Sequence, residues 1–394
     1  MRTIYLDYSA TTPLDQRVLA AMQPYFAGQF ANSKAVHRLG HGAETAIEAA
    51  RETVARCLNC SPADVVFTSG GTESDNLALR GPAQYARVYD RPFTLVTGPV
   101  EHAAVAVTAR QIRDTLGASL RIVPVDRAGR VDPADLRAAL RDLPAGGIAL
   151  ISLIHANNEI GTINPIAEYA AIAHEHGALF HTDAVQSPGN LALDVEEMGI
   201  DSLSLSSHKF YGPKGAGVLI LREHVPYLSA QTGASHEEGR RAGTHNTPGI
   251  VGTAAALEIA CAERAETAAR LSDLCQRLIA GVLSAIPDAE LTGDPVDRLP
   301  GHASFAFKDV LSSTLLMHLD QHGIAASSGS ACKSGNEQPS AILETLGFGP
   351  QWTRGGLRLS LGRSTTGDDI ATVLSILPDA VAAVRRIAAM TATP

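Results

Sequence analysis

Seven short runs rich in β-branched and other apolar residues punctuate the first half of the chain, at 65–68, 93–97, 119–123, 148–154, 178–181, 202–205 and 216–221. The first six look buried and are separated by stretches of helical length. Strands covered on both faces give this signature, so the pattern predicts an α/β fold with a mostly parallel, mixed seven-stranded sheet between helices. Only the turn at 210–215 joins the last two runs. That is too short for a crossover helix, which predicts an antiparallel edge at this end of the sheet.

Beyond Gly249 the texture changes. An alanine-rich stretch at 250–280 reads as one or two helices, with Leu257, Leu271, Leu274 and Leu278 on an apolar stripe. Thr292-Gly293-Asp294-Pro295 breaks the chain, and strands are expected at 302–307, 324–327 and 357–361, before a closing helix near 368–388. The expected organisation is a large domain over 13–260 and a smaller α+β domain over 261–394, joined by the N-terminal segment 1–12. No internal repeat or low-complexity linker is visible.

A length of 394 residues suits about two domains. The 45% hydrophobic content is that of a folded enzyme rather than a disordered chain. A net charge of −9 argues against nucleic acid as the main partner. No apolar run approaches the roughly 20 residues that cross a bilayer, and the opening residues carry no secretory h-region. Five cysteines, an odd number, do not make a disulfide framework. A soluble, cytoplasmic protein is expected.

Lysine is rare: there are five, and Lys209 ends Ser204-Leu205-Ser206-Ser207-His208-Lys209, just past a strand. A partly buried lysine there has a lowered proton affinity and suits Schiff-base chemistry; a solvent-facing turn lysine is the plainer reading of the position by itself. Asp183 closes another strand, Ala178-Leu179-Phe180-His181-Thr182-Asp183. It can be a helix N-cap, or it can face a pyridine nitrogen and keep it protonated. Ser69-Gly70-Gly71-Thr72-Glu73-Ser74 opens a helix with small residues and unpaired N–H groups, a possible phosphate cradle, although it is not a Walker A loop. Together the three ask for one cofactor carrying a carbonyl, a phosphate and a basic ring nitrogen. Cys57-Leu58-Asn59-Cys60 lacks a second CxxC and reads as packing. His174-Glu175-His176 with His181 reads as a solvated helix end, so neither set is assigned to a metal.

Across nearly its whole length the chain resembles the group I cysteine desulfurases of iron–sulfur assembly, in the class V aminotransferase family of the fold-type I pyridoxal-phosphate enzymes. The resemblance rests on Tyr5-Leu6-Asp7-Tyr8-Ser9-Ala10-Thr11-Thr12-Pro13, Thr68-Ser69-Gly70-Gly71-Thr72-Glu73-Ser74-Asp75-Asn76, Glu101-His102 and His155-Ala156-Asn157-Asn158-Glu159. It continues through Asp183-Ala184-Val185-Gln186, Ser206-Ser207-His208-Lys209, Arg241-Ala242-Gly243-Thr244, Ser327-Ser328-Gly329-Ser330-Ala331-Cys332 and Arg358-Leu359-Ser360. The chain departs from the family pattern at 232–239, at Asn32-Ser33 and just after Cys332.

The resemblance implies that Lys209 holds pyridoxal 5'-phosphate covalently and moves the substrate Cα proton. Asp183 would pair with the ring nitrogen and Gln186 with the ring hydroxyl, while His102 stacks on the ring and acts as an acid/base. Gly71, Thr72, Ser206 and His208 would hold the phosphate, and Thr244 would reach the phosphate of a neighbouring subunit in a homodimer. Asn158 and Arg358 would bind the carboxylate of L-cysteine. Cys332, in a Gly/Ser-rich stretch beside Lys333, would take the sulfur as a persulfide and pass it to an iron–sulfur scaffold or another acceptor protein, leaving L-alanine. A selenocysteine lyase and a small-amino-acid aminotransferase are the rival activities within the same family, and a non-catalytic binding relative is the rival outside catalysis.

Overall fold

The protein is described by a computed structural model that covers residues 2–328 and 338–391. Twelve strands occur among these residues: β1 (Ile4–Tyr5), β2 (Val65–Thr68), β3 (Phe93–Thr97), β4 (Ser119–Ile122), β5 (Ile148–Ser152), β6 (Leu179–Asp183), β7 (Ser202–Ser206), β8 (Gly217–Leu221), β9 (Ala289–Leu291), β10 (His302–Phe307), β11 (Ile324–Ala325) and β12 (Gly356–Ser360). The central sheet has seven strands in the order β2-β8-β7-β6-β5-β3-β4.

Strand alternation explains its two covered faces. Val65, Phe67, Val218, Ile220, Leu203 and Leu205 point to one side, against Ile47, Val54 and Leu58 of the helix Arg38–Leu58 and against Ile250 and Leu257. Val66, Leu219, Leu221, Leu95 and Leu150 point to the other, against Leu77 and Leu79 of the helix Gly71–Val88 and Val105 and Ile112 of Ala103–Leu116.

Two expectations about this sheet need correction. The strand β8 is antiparallel to β7, but it is not an edge: β2 adds outside it, also antiparallel, with Val65 opposite Ile220 and Thr68 opposite Gly217. The first strand of the sheet in sequence thus closes that side, and β8 is buried along its length. The second is β4, which is half exposed rather than buried, because it pairs only with β3 and ends the sheet. Arg121 on β4 turns outward to the Ala139 and Arg141 carbonyls, at 2.7 Å each.

The predicted long helix is one continuous rod, Thr247–Ala285. Its first turns enter the core of the large sheet through Ile250, Ala254 and Leu257. Further along, Leu271, Leu274, Leu278 and Val282 enter a second core with Phe305, Phe307, Leu357, Leu359, Val373 and Leu377. That second core lies on a three-stranded sheet, β12-β10-β9, all antiparallel, and is closed by the helices Ser312–Gln321 and Gly367–Thr391. The N-terminal strand β1 pairs with β11, and the chain then crosses to the large sheet through residues 7–13.

In the large sheet β2, β7, β6 and β5 run the same way, so their carboxyl ends open on one side. The segments that leave these ends carry the expected chemistry: 69–72, 206–209, 183–186 and 154–158. Ligands of open α/β sheets bind at this edge.

Candidate active site

A cavity of about 510 Å³ lies at these strand ends. Nine residues singled out from sequence line it: Gly71, Thr72, His102, Asn158, Asp183, Gln186, Ser206, His208 and Lys209.

The glycine turn between β2 and the helix Gly71–Val88 is shaped by close approach. Gly70 has φ of +149°, a conformation that side-chain-bearing residues rarely adopt. A Cβ on Gly71 would meet Val185 Cγ2 at 2.7 Å and Ser206 Cβ at 3.3 Å. The turn therefore presses against both neighbouring loops and leaves the helix's first N–H groups facing the cavity. Glu73, the acid nearest this positive end, is neutralised in place: Arg241 Nε donates to its Oε1 at 2.9 Å, and its Oε2 accepts the Ser69 N–H at 2.6 Å.

Lys209 sits in the 3₁₀ turn Ser207–Lys209 after β7. Its Nζ donates to the carbonyls of Ser9, at 2.6 Å, and Ala10, at 2.8 Å. Burial first, and then the Arg358 charge, pull its proton affinity down to about 8, against the opposing pull of Asp183 and Asp7. Gln186 Nε2 donates to the same Ser9 carbonyl at 2.9 Å, so the N-terminal crossing fixes both side chains. His208 is held neutral, near 4, by burial and by Lys209 and Lys214; its Nδ1 lies 3.0 Å from Thr11 Oγ1.

Asp183 ends β6 and is buried, with Oδ1 accepting the Val185 N–H at 2.9 Å. Burial raises its proton affinity, while His102, that N–H and Lys209 pull it back. His102 is exposed to the cavity and caps the helix Ala103–Leu116, its Nδ1 accepting the Ala104 N–H at 3.1 Å. Arg358 does not line the cavity. It stands behind it, almost fully buried on β12, and donates to the Asn158 carbonyl at 2.8 Å and to Asp7 Oδ1 at 2.7 Å.

Sequence reasoning passed over a layer of buried acids at the cavity floor. Asp75 is 1% exposed and lines the cavity, and among the described residues only the Ser204 hydroxyl is close enough to favour its charged form, without a well-formed hydrogen bond to either carboxyl oxygen. Glu101 is buried beside it in sequence to His102, with Oε1 accepting the Ile154 N–H at 3.0 Å and Oε2 unpartnered. Asp75 could have been found: it lies four residues after Gly71 and three after Thr72 on one helix, hence on their face.

Thr244 lies outside the cavity and is exposed. Its segment is pinned by the buried Glu237, which pairs with Arg51 at 2.9 Å and His245 Nε2 at 2.6 Å. Cys332 lies outside the described residues. Cys57 and Cys60 pack on the large core, where Cys57 neighbours Cys261. The three histidines considered as a set separate: His174 pairs with Asp201 at 2.9 Å, His176 Nδ1 meets the Ile172 carbonyl, and His181 is buried inside the sheet. No helix among the described residues is long and apolar enough to cross a membrane.

Residues 4–373 match the aminotransferase class-V family. The chain is 41% identical to the cysteine desulfurase IscS of Dictyoglomus turgidum over 98% of its length and 96% of that protein's. It is 42% identical to the cysteine desulfurase IscS of Methanosarcina thermophila over 99% of its own length and 95% of the relative's. Among solved structures, a NifS-like protein superposes with a TM-score of 0.88 at 33% identity, covering 96% of this chain and 99% of the other. SspA in complex with cysteine gives 0.78 at 32%, covering 91% and 99%. With the family match over residues 4–373 and identities above 40% along nearly the whole of both chains, the chain belongs to the aminotransferase class-V family, in its cysteine desulfurase branch.

Proposed function

We propose that this protein is a pyridoxal-phosphate-dependent cysteine desulfurase that converts L-cysteine to L-alanine and carries the sulfur away as a persulfide on Cys332. The observation that carries this reading is the pairing of a buried amine of lowered proton affinity, Lys209, with a buried acid, Asp183, across a cavity whose rim is a glycine cradle.

The donor set fits the cofactor. Gly71, Thr72, Ser206 and His208 suit its phosphate, Asp183 its ring nitrogen, Gln186 its ring hydroxyl and His102 its ring face. Bound there, pyridoxal phosphate supplies an electrophilic carbonyl and a ring that accepts electron density. The chain supplies the rest. Lys209 Nζ, with a proton affinity near neutrality, is a nucleophile and can later take the proton from substrate Cα and return it. Asp183 holds negative charge where positive charge must be kept.

Asn158 and Arg358 bind the substrate carboxylate, the guanidinium exchanging its bond to Asp7 for the incoming anion. The Cys332 thiolate attacks the substrate sulfur: an S–S bond forms, the C–S bond breaks, and its electron pair goes to the substrate carbon, which is then protonated to give alanine.

The chain also acts as a homodimer in this reading, with Thr244 serving the neighbouring phosphate. The exposure of Thr244 and of Phe26, Phe30, Val36 and Leu39 supports it. Residues 13–260, and 261–394 with 1–12, form its two domains. We assign it to the cytoplasm, with an iron–sulfur scaffold or other protein as sulfur acceptor. The test is product analysis with L-cysteine as substrate. The native protein should release equal alanine and sulfide under a thiol reductant, and Cys332→Ala should release neither while still binding the cofactor. Full turnover by Cys332→Ala removes the persulfide step; a keto acid product replaces the desulfurase with an aminotransferase.

A further inference from the structure

At the cavity floor the negative charges crowd together. One oxygen of Asp75, one of Asp183 and a ring nitrogen of His102 all lie within 4.8 Å of one another. Asp75 and Asp183 are both buried, at 1% and 4% exposure, and Glu101 adds a third buried carboxyl. Two buried carboxylates this close do not both ionise without a compensating cation.

The compensation falls on one of them. Asp183 has the Val185 N–H, His102 and Lys209 on its side. Asp75 has no cation or backbone N–H of this kind among the described residues, only a share of the Ser204 hydroxyl. The base nearest it from β6 is His181, whose Nε2 is 3.7 Å away, but that ring is already spent between Ser152 Oγ, at 2.9 Å, and Ser204 Oγ, at 3.0 Å. Burial holds His181 near 3, so it is neutral and gives Asp75 no charge to pair with. Ser204, from β7, is the group among the described residues that favours an ionised Asp75, and its hydroxyl is shared with His181. Asp75 is also the fifth residue of its helix, beyond the first turn where the helix dipole favours an anion. Burial, then Asp183, then Glu101 all push its proton affinity well up.

We propose that Asp75 is a positioning residue: it carries a proton at neutral pH and donates a hydrogen bond to Asp183, keeping that carboxylate ionised and aimed at the cofactor's ring nitrogen. The inference rests on the cofactor reading above for its last clause only; the protonated state belongs to the protein itself. A neutral carboxylic acid is here a fixed donor, a use that buried apolar sites make available to Asp.

Two near-isosteric variants separate the possibilities. Asp75→Asn keeps a donor and cannot ionise; Asp75→Leu keeps the branched shape and loses the donor. In the apo-protein at neutral pH, infrared difference spectra of wild type against Asp75→Asn should show the loss of one protonated-carboxyl C=O band that shifts in D₂O. In absorbance titrations with pyridoxal phosphate, Asp75→Asn should bind within a few-fold of wild type, and Asp75→Leu roughly ten- to a hundredfold more weakly, the cost of one hydrogen bond to a charged group. Circular dichroism checks that both fold. The proposal is overturned if the infrared band survives in Asp75→Asn, if Asp75→Asn binds as poorly as Asp75→Leu, or if Asp75→Leu binds like wild type. A wild-type protein that takes up no pyridoxal phosphate would instead overturn the cofactor reading, leaving the infrared result to stand alone.

Discussion

Titrating the apo-protein tests the state of Lys209. Its amine sits at about 8 instead of 10.5, through burial and then the Arg358 charge. Only the neutral amine attacks a carbonyl. At about pH 7.5 an amine at 8 is about one quarter neutral, and one at 10.5 only about one thousandth, so the fold raises the reactive fraction by roughly 200-fold. The sign follows: protonation dominates below the shifted value, so reactivity climbs with pH up to about 8 and then levels. The assay mixes apo-protein with pyridoxal phosphate in a stopped flow and follows the absorbance of the lysine adduct from pH 6 to 10. A free alkylamine run in parallel corrects for the cofactor's own ionisations. Arg358→Gln, which removes the second cause of the shift, should move the plateau to higher pH, and Asp183→Asn should move it lower. An adduct rate that rises without a break through pH 10 would show that Lys209 behaves as a solvated amine, and the argument from burial would fail.

Other expectations are more direct. Gly71→Ala places a Cβ 2.7 Å from Val185 Cγ2. Overpacking of that kind costs about 1–3 kcal/mol, so cofactor affinity should fall about ten- to a hundredfold by absorbance titration; unchanged affinity would mean the turn is not the phosphate cradle. Glu237 is pulled down to about 2 by His245 and Arg51 against the opposing effect of its burial. Its folded value is below its unfolded one, so its contribution to stability is complete above about pH 4.5 and is lost as pH falls towards 2, on the order of 3 kcal/mol in all. Glu237→Gln should therefore lower the urea midpoint at pH 7 and flatten the acid limb of stability; equal slopes in both proteins would refute the pairing. Phe305→Ala, in the second core, should cost about 3–5 kcal/mol in the same measurement, and a loss under 1 kcal/mol would mean the site collapses without a cavity.

What the sequence disclosed depended on whether the cause was local. Lys209 and Asp183 could be read because strand ends announce themselves through short apolar runs, and open α/β sheets gather ligands there. Their chemistry could not be decided one at a time; the motif order along the chain decided it. The position of β8 could not be read, because the pairing of β2 outside it joins residues 149 to 155 apart and leaves no mark in either strand. Arg358 carries the same lesson: its bond to Asp7 spans 351 residues, so the sequence does not show that the guanidinium is held by its own chain's acid before any anion arrives. Asp75 reads as an ordinary helix acid among Glu73, Ser74 and Asn76. Helix periodicity could have placed it on the face of Gly71 and Thr72; the folded chain adds that it is buried there with no cation paired to it among the described residues.

The unbroken rod Thr247–Ala285 has a consequence for how this chain can change length. Between Ala260, the last of its residues in the first core, and Leu271, the first in the second, lie ten residues with no loop to absorb an error. Each α-helical residue turns the axis by about 100° and advances it by about 1.5 Å. One codon gained or lost in that stretch would swing Leu271, Leu274 and Leu278 off Phe305 and Phe307 while leaving the first core untouched. Substitution is tolerable there and insertion is not, so this rod works as a phase lock between the half of the protein that grips a ligand and the half that carries Arg358.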